Sequence, residues 1–196
     1  MVTKKTKALA NEAHWLTGQL LIAMPTMPDP RFARTVIYIC SHGPTGAMGL
    51  VLNRLFGEAN FSSLLDQLNI AVDASTPDIS IHYGGPVETT RGFVLHTTDY
   101  MREGTIRIDD STGLTATLDI LQLIAEGRGP ERAMMALGYT GWDSGQLDAE
   151  MKANGWLTAT ADDALLFDQN LDTKWERALA KIGISPSLLS GEAGHT

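Results

Sequence analysis

Residues 42–54 read HGPTGAMGLVLNR, and the fold turns on whether these glycines cradle a phosphate or reverse the chain. A dinucleotide loop needs G-x-G-x-x-G between a strand and a helix, and a P-loop needs G-x-x-x-x-G-K-[ST] in the same place. In both, the helix N-terminus supplies the amides and the dipole that hold phosphate. Neither pattern is present. Gly43-Pro44-Thr45-Gly46 lies between two apolar runs, ARTVIYIC before it and GLVLN after it. The segment therefore predicts a β-hairpin, with Gly49 inside a strand where the missing side chain permits close packing or a bulge.

Upstream, GQLLIAMP predicts a strand stopped at Pro25, and the prolines of PTMPDPRF predict a rigid connector. Ala8, Leu9, Ala13 and Leu16 can share one face of a short helix over residues 8–16. Downstream, NFSSLLDQLNI predicts a helix capped by Asn60, and DISIHYGG and RGFVLHTT predict strands around the GGPVET turn. TIRID predicts a further strand, and GLTATLDILQLIAEG turns helical by Leu118 and stops at Gly127. ERAMMALGYTGW favours a strand. DSGQLDAEMKANGW reads as a helix capped by Asp143 or Ser144 and ended by Asn154-Gly155, WLTATADDALLF as a strand, and DTKWERALAKIG as an amphipathic helix. Many short strands, few helices and no regular βαβ alternation predict an α+β domain around a curved antiparallel or mixed sheet with helices outside. Residues 1–15 are expected to be a mobile segment or short helix, 16–185 one domain, and 186–196 a flexible tail.

The composition narrows the partners. With 15 Lys+Arg against 23 Asp+Glu the formal charge is -8, so the summed field repels a polyanion, and direct nucleic-acid binding is disfavoured. The basic cluster Lys4, Lys5 and Lys7 lies at the terminus; the arginines are dispersed. Cys40 is the one cysteine, which excludes an internal disulfide and fits a reducing compartment. Asn11, Glu12 and His14 interrupt any signal-peptide core, and no run approaches the roughly 18 apolar residues of a membrane span. A soluble cytoplasmic protein without membrane association is expected.

Candidate chemistry is sparse. Gly84-Gly85 can present successive amides to an anion, with Arg91 returning the charge; the alternative is a plain glycine turn with Arg91 on backbone carbonyls. His42, His82 and His96 lack metal-ligand spacings, no G-x-S-x-G elbow occurs, and Cys40 in an apolar strand reads as a buried small residue. Asp162-Asp163 reads as a solvated turn. Trp142, ahead of a capped helix, lines a cleft or packs the core.

Four segments occurring in order, LTGQLLIAMPTMPDPRFARTVIYIC, HGPTGAMGLVLNR, YGGPVETTRGFVLH and GYTGWDSGQLDAEMKANGWL, resemble the YqgE/AlgH family of bacterial proteins over residues 16–171. The resemblance implies a barrel-like, bifurcated β structure surrounded by helices and a cytosolic bacterial protein. It also brings the label of transcriptional regulator, but no catalytic residue. Leu55 stands where many members carry proline, and Pro44-Thr45 where relatives are often acidic. Residues and resemblance together lead to a noncatalytic regulatory or interaction module that binds a protein partner or a small anionic ligand and uses no cofactor or metal. Its candidate binding residues are His42, Asn53, Arg54, Gly84, Gly85, Arg91 and Trp142. The alternatives are a transcriptional regulator, acting on DNA directly or through a partner, and an enzyme in which His42, Arg91 or His96 converges on a pocket with an Asp or Glu from elsewhere in the chain.

Overall fold

In the computed structural model, which describes residues 15–189, the decisive segment is a hairpin. Strand β1 (Gln19–Ala23) pairs antiparallel with β2 (Val36–Gly43), which turns at Pro44-Thr45 into β3 (Gly46–Val51). A Cβ on Gly49 would lie 2.7 Å from Ile37 Cγ2, so that glycine serves close packing within the strand pair. The chain continues through β4 (Leu55–Asn60), α1 (Phe61–Gln67), β5 (Ser80–Tyr83), β6 (Val87–Thr97), β7 (Thr105–Arg107), β8 (Thr112–Thr115), α2 (Leu118–Ala125) and β9 (Ala133–Asp143). Then follow α3 (Gln146–Lys152), β10 (Trp156–Thr160), α4 (Asp163–Phe167), α5 (Lys174–Lys181) and α6 (Pro186–Leu189).

The strands form one 10-stranded sheet in the order β10-β1-β2-β3-β9-β6-β8-β7, from which β5 and β4 branch at β9. Only the β5–β9 pairing is parallel. The fork has a local cause. Over Met135–Leu137, β9 pairs with β5 and β6; from Thr140 to Asp143 its partner is β3. Gly138 sits at the change with φ 72°, a left-handed conformation that favours glycine. Gly84 is wedged opposite: its N–H donates to the Leu137 carbonyl and its own carbonyl accepts from Val51 N–H, each at 2.9 Å. A Cβ on Gly84 would stand 2.2 Å from the Gly138 oxygen. The result is a mixed α+β fold with a curled, bifurcated sheet and helices on its outside, as the sequence and the resemblance imply.

The strands alternate between two covered faces. Leu20 and Ile22 of β1 join Tyr38, Leu50 and Leu52 beneath α4 and α5, whereas Leu21 and Ala23 join Ile37 and Val51 beneath Trp142, Leu147 and Trp156. At the other end of the sheet, Val94 and Met135 pack under α1 and α2 through Phe61, Leu65, Ile120 and Ile124. Burial on both faces explains why these strands read as unbroken apolar runs. Trp175 fastens α5 to the sheet by donating Nε1–H to the Ala23 carbonyl at 2.9 Å. The fully buried Lys174 ammonium donates to the Leu165 and Asp168 carbonyls at 2.8 and 3.1 Å, satisfying acceptors at the C-terminal end of α4.

The DISIHYGG and RGFVLHTT stretches do form strands, β5 and β6, and each pairs with β9. Several expectations are corrected. Thr112–Thr115, to which the sequence reading assigns no strand, is β8 and pairs with both β6 and β7. The WLTATADDALLF run is strand only to Thr160. Asp162 then caps α4 by accepting Leu165 N–H at 2.9 Å, so Asp162-Asp163 opens a helix and is not merely a turn. The cap of α3 is Gly145, at φ 73°, and neither Asp143 nor Ser144; the Ser144 hydroxyl instead donates to the Pro44 carbonyl at 2.7 Å. The stretch expected to be a tail begins with the helical turn α6, whose Leu189 packs against the core, and residues 190–196 lie outside the described residues. The helix considered over residues 8–16 falls almost wholly outside them too; Trp15 and Leu16 are coil.

Candidate functional site

Beyond the fork, the last turn of β9 carries Trp142 into a cleft of about 500 Å³. One wall is the proline-rich connector, with Met27, Pro28, Arg31 and Phe32; another is Pro86-Val87, and α3 and Trp156 supply the rest. Three separated stretches of the chain, 27–32, 86–87 and 140–156, therefore meet here. The connector lacks a ladder of its own and is held by two side chains from the far end of the hairpin. Asn53 accepts Val36 N–H and donates to the Arg34 carbonyl, both at 2.9 Å. Arg54 donates to the carbonyls of Ala33 and Pro30 at 2.8 and 3.2 Å.

Glu150 organises the cleft. Its Oε2 accepts Trp142 Nε1–H at 2.9 Å and Trp156 Nε1–H at 2.8 Å, and its Oε1 accepts Gln146 Nε2–H at 2.9 Å. The two indoles meet edge to face with centroids 6.2 Å apart, which ties β9, α3 and β10 to one carboxylate. All three donors are neutral, and among the described residues no Lys, Arg or His pairs with Glu150. At the rim, Arg31 is closed on Asp29, with Nε 3.1 Å from both carboxylate oxygens and Nη2 2.7 Å from Oδ2. That guanidinium holds the Asp29 carboxyl below the usual carboxylate range.

Of the candidate residues, only Trp142 lines this cleft. Asn53 and Arg54 act on it from outside through the connector, and Gly84 and Gly85 act by delivering Pro86-Val87 from the fork. Gly84 donates its amide to Leu137, so the expected anion nest is replaced by a strand junction. Arg91 lies elsewhere, over the Phe93 ring at 5.2 Å and 3.3 Å from Glu88, beside a groove of about 270 Å³ with Met48, Ile106 and Tyr139. His42 faces the chain entrance: its Nδ1 accepts Leu16 N–H at 3.1 Å and its Nε2 is 3.9 Å from Asp148.

The convergence of His42, Arg91 and His96 does not occur. Both ring nitrogens of buried His96 are engaged, by the Thr97 carbonyl at 2.9 Å and Thr115 Oγ1 at 2.8 Å. Burial pushes the Cys40 thiol up to about 12, which leaves no thiolate for attack. No group of three or more His, Cys, Asp or Glu among the described residues could hold a metal. Sequence reasoning missed Glu150 and Trp156 as site residues. The only signal was the spacing of Gln146 and Glu150, which puts both on one face of α3; the convergence of two indoles on one of them is tertiary.

A family model described as AlgH-like matches residues 20–187. A UPF0301 protein of Rhodospirillum rubrum is 54% identical over 181 residues, covering 92% of this chain and 94% of its own. A UPF0301 protein of Jannaschia is 50% identical over 190 residues, covering 96% and 99%. The solution structure of the AlgH protein from Pseudomonas aeruginosa superposes with a TM-score of 0.77 at 42% identity, over 95% of this chain and 99% of that one. A Corynebacterium diphtheriae protein with a TM-score of 0.72 at 19% identity, over 89% and 91% of the two chains, shares the fold.

Proposed function

The chain belongs to the AlgH-like family, and we propose that it is a noncatalytic interaction module whose cleft between the connector and α3 holds a segment of a partner protein. The observation that carries this reading is the cleft itself: about 500 Å³, walled by Phe32, Trp142 and Trp156, and braced from behind by Asn53 and Arg54. Aromatic and proline surfaces around a fixed polar group are what peptide recognition uses, since rings give contact area at low entropic cost. His42 and His96, the imidazoles a reaction would draw on, do not line this cleft and are engaged in hydrogen bonds with Leu16 N–H and Thr115 Oγ1. Any regulatory role then comes through the partner, because a net charge of -8 opposes phosphate contact. A single buried cysteine fits the cytoplasm as the working compartment.

A photo-crosslinking residue at Ala153, on the cleft, is compared with one at Arg91, on the separate groove. The expected outcome is one protein captured from Ala153 alone. Its binding to the purified chain then weakens about tenfold, some 1.4 kcal/mol, in Phe32→Ala. Equal capture from both sites, or unchanged affinity in a folded Phe32→Ala, overturns the assignment. Retention of duplex DNA with a steep salt dependence would instead establish direct DNA binding.

A further inference from the structure

Resting on that docking reading, we infer that Glu150 is the specificity element of the cleft and receives the guanidinium or ammonium of an arginine or lysine carried by the partner segment. The carboxylate is electrostatically incomplete. Three neutral donors orient it, no cation among the described residues neutralises it, and Oε1, with one donor, keeps acceptor capacity in a residue that lines the cleft. The aromatic walls suit a flat, weakly hydrated guanidinium, which stacks on rings while bonding a carboxylate. Arg31, the one cation among the described residues that line the cleft, is occupied by Asp29, so it neither fills the Glu150 site nor opposes an incoming positive charge as a free guanidinium would. A net charge of -8 draws a basic segment toward the chain. An anionic ligand meets the reverse of each condition. The cleft is larger than one side chain, leaving the aromatic surface to apolar neighbours of the inserted residue.

The test uses the full chain and four peptides of equal length, identical but for a central arginine, lysine, citrulline or norleucine. Citrulline keeps the shape of arginine and removes its charge. Binding is read from the indole N–H resonances of Trp142 and Trp156 and from their fluorescence. Arginine and lysine peptides are expected to move both indole signals saturably, and citrulline to bind about tenfold more weakly or worse. Glu150→Gln, which keeps the side-chain length, should erase the arginine–citrulline difference. Should that variant repack, Ala153→Arg serves instead: on the exposed end of α3, three residues on, it supplies the missing cation in cis and should abolish arginine-peptide binding without unfolding the chain. If citrulline or norleucine peptides perturb the cleft as strongly as arginine, the cation inference falls while the docking reading stands. If none of the four perturbs it and the Ala153 crosslink also fails, both fall.

Discussion

The fork at Gly84–Gly138 and the cleft over Glu150 share one strand, β9, and use polar atoms in opposite ways. In the fork the polar groups are backbone and each is spent: Gly84 bonds Leu137 and Val51. The glycines there are dictated by approach distances, 2.2 Å from a would-be Cβ to the Gly138 oxygen. In the cleft the polar group is a side chain, held by three neutral donors and without a counter-charge among the described residues. The difference teaches that glycine-rich motif density marks where backbones crowd, whereas a carboxylate that gathers two indoles sits at an ordinary-looking helix position a few residues on.

The largest expected effect breaks the fork. Gly84→Ala drives a methyl into backbone that cannot swing aside, unlike the tip of a flexible side chain. Overpacking of this kind costs about 3 kcal/mol, the upper end of its usual range, read as a lower midpoint in urea unfolding. A change within about 0.5 kcal/mol would mean that the fork relaxes and that the glycine is there for another reason.

A smaller effect separates the regions by pH. His82, on β5 just before the fork, is buried and bonds the Leu52 carbonyl through Nδ1 at 3.0 Å. Burial, then the nearby Lys174 charge, lowers its pKa from 6.5 to about 4. The unfolded chain therefore binds the proton first, so the contribution of His82 is complete above the unfolded value and is lost as pH falls toward the folded one. Linkage puts the loss at about 2 kcal/mol by about pH 5. Denaturation of wild type and His82→Asn across this range should diverge, with wild type falling more steeply; parallel curves would move the acid sensitivity elsewhere.

Much of this fold was legible because its causes are local. The hairpin follows from β-branched runs flanking Gly43-Pro44-Thr45-Gly46, and α1 from the Asn60 cap, which accepts Ser63 N–H at 2.8 Å. The illegible parts have nonlocal causes. Strand β8 is only four residues long and is fixed by partners on both sides, and α4 hides within an apolar run that reads as a continuing strand. The cleft was half legible. Trp142 stood out as an aromatic at a junction, but Glu150 becomes a site only when β9, α3 and β10 are assembled around it. Asn53 and Arg54, candidate binding residues in the sequence, bond backbone carbonyls of the connector instead of lining the cleft.

The smallest expected effect is the sharpest control. Arg91 was the cation the sequence offered for a ligand, and in the structure its side chain is 55% exposed, with a Glu88 contact at 3.3 Å and the Phe93 face at 5.2 Å. An exposed ion pair and an exposed cation–π contact each contribute about 0.5 kcal/mol. Arg91→Ala should therefore shift unfolding by less than about 1 kcal/mol and leave the Trp142 and Trp156 indole resonances in place. Between the Arg91 groove and the cleft lies a third depression, which shares Met48 and Tyr139 with the groove and Val87, Gly141 and Trp142 with the cleft. A shifted indole signal or altered peptide binding in Arg91→Ala would make the groove and the cleft one continuous surface, with the fork transmitting between them. Unchanged signals leave the fork as a rigid divider and the cleft as a site that answers to Glu150 alone.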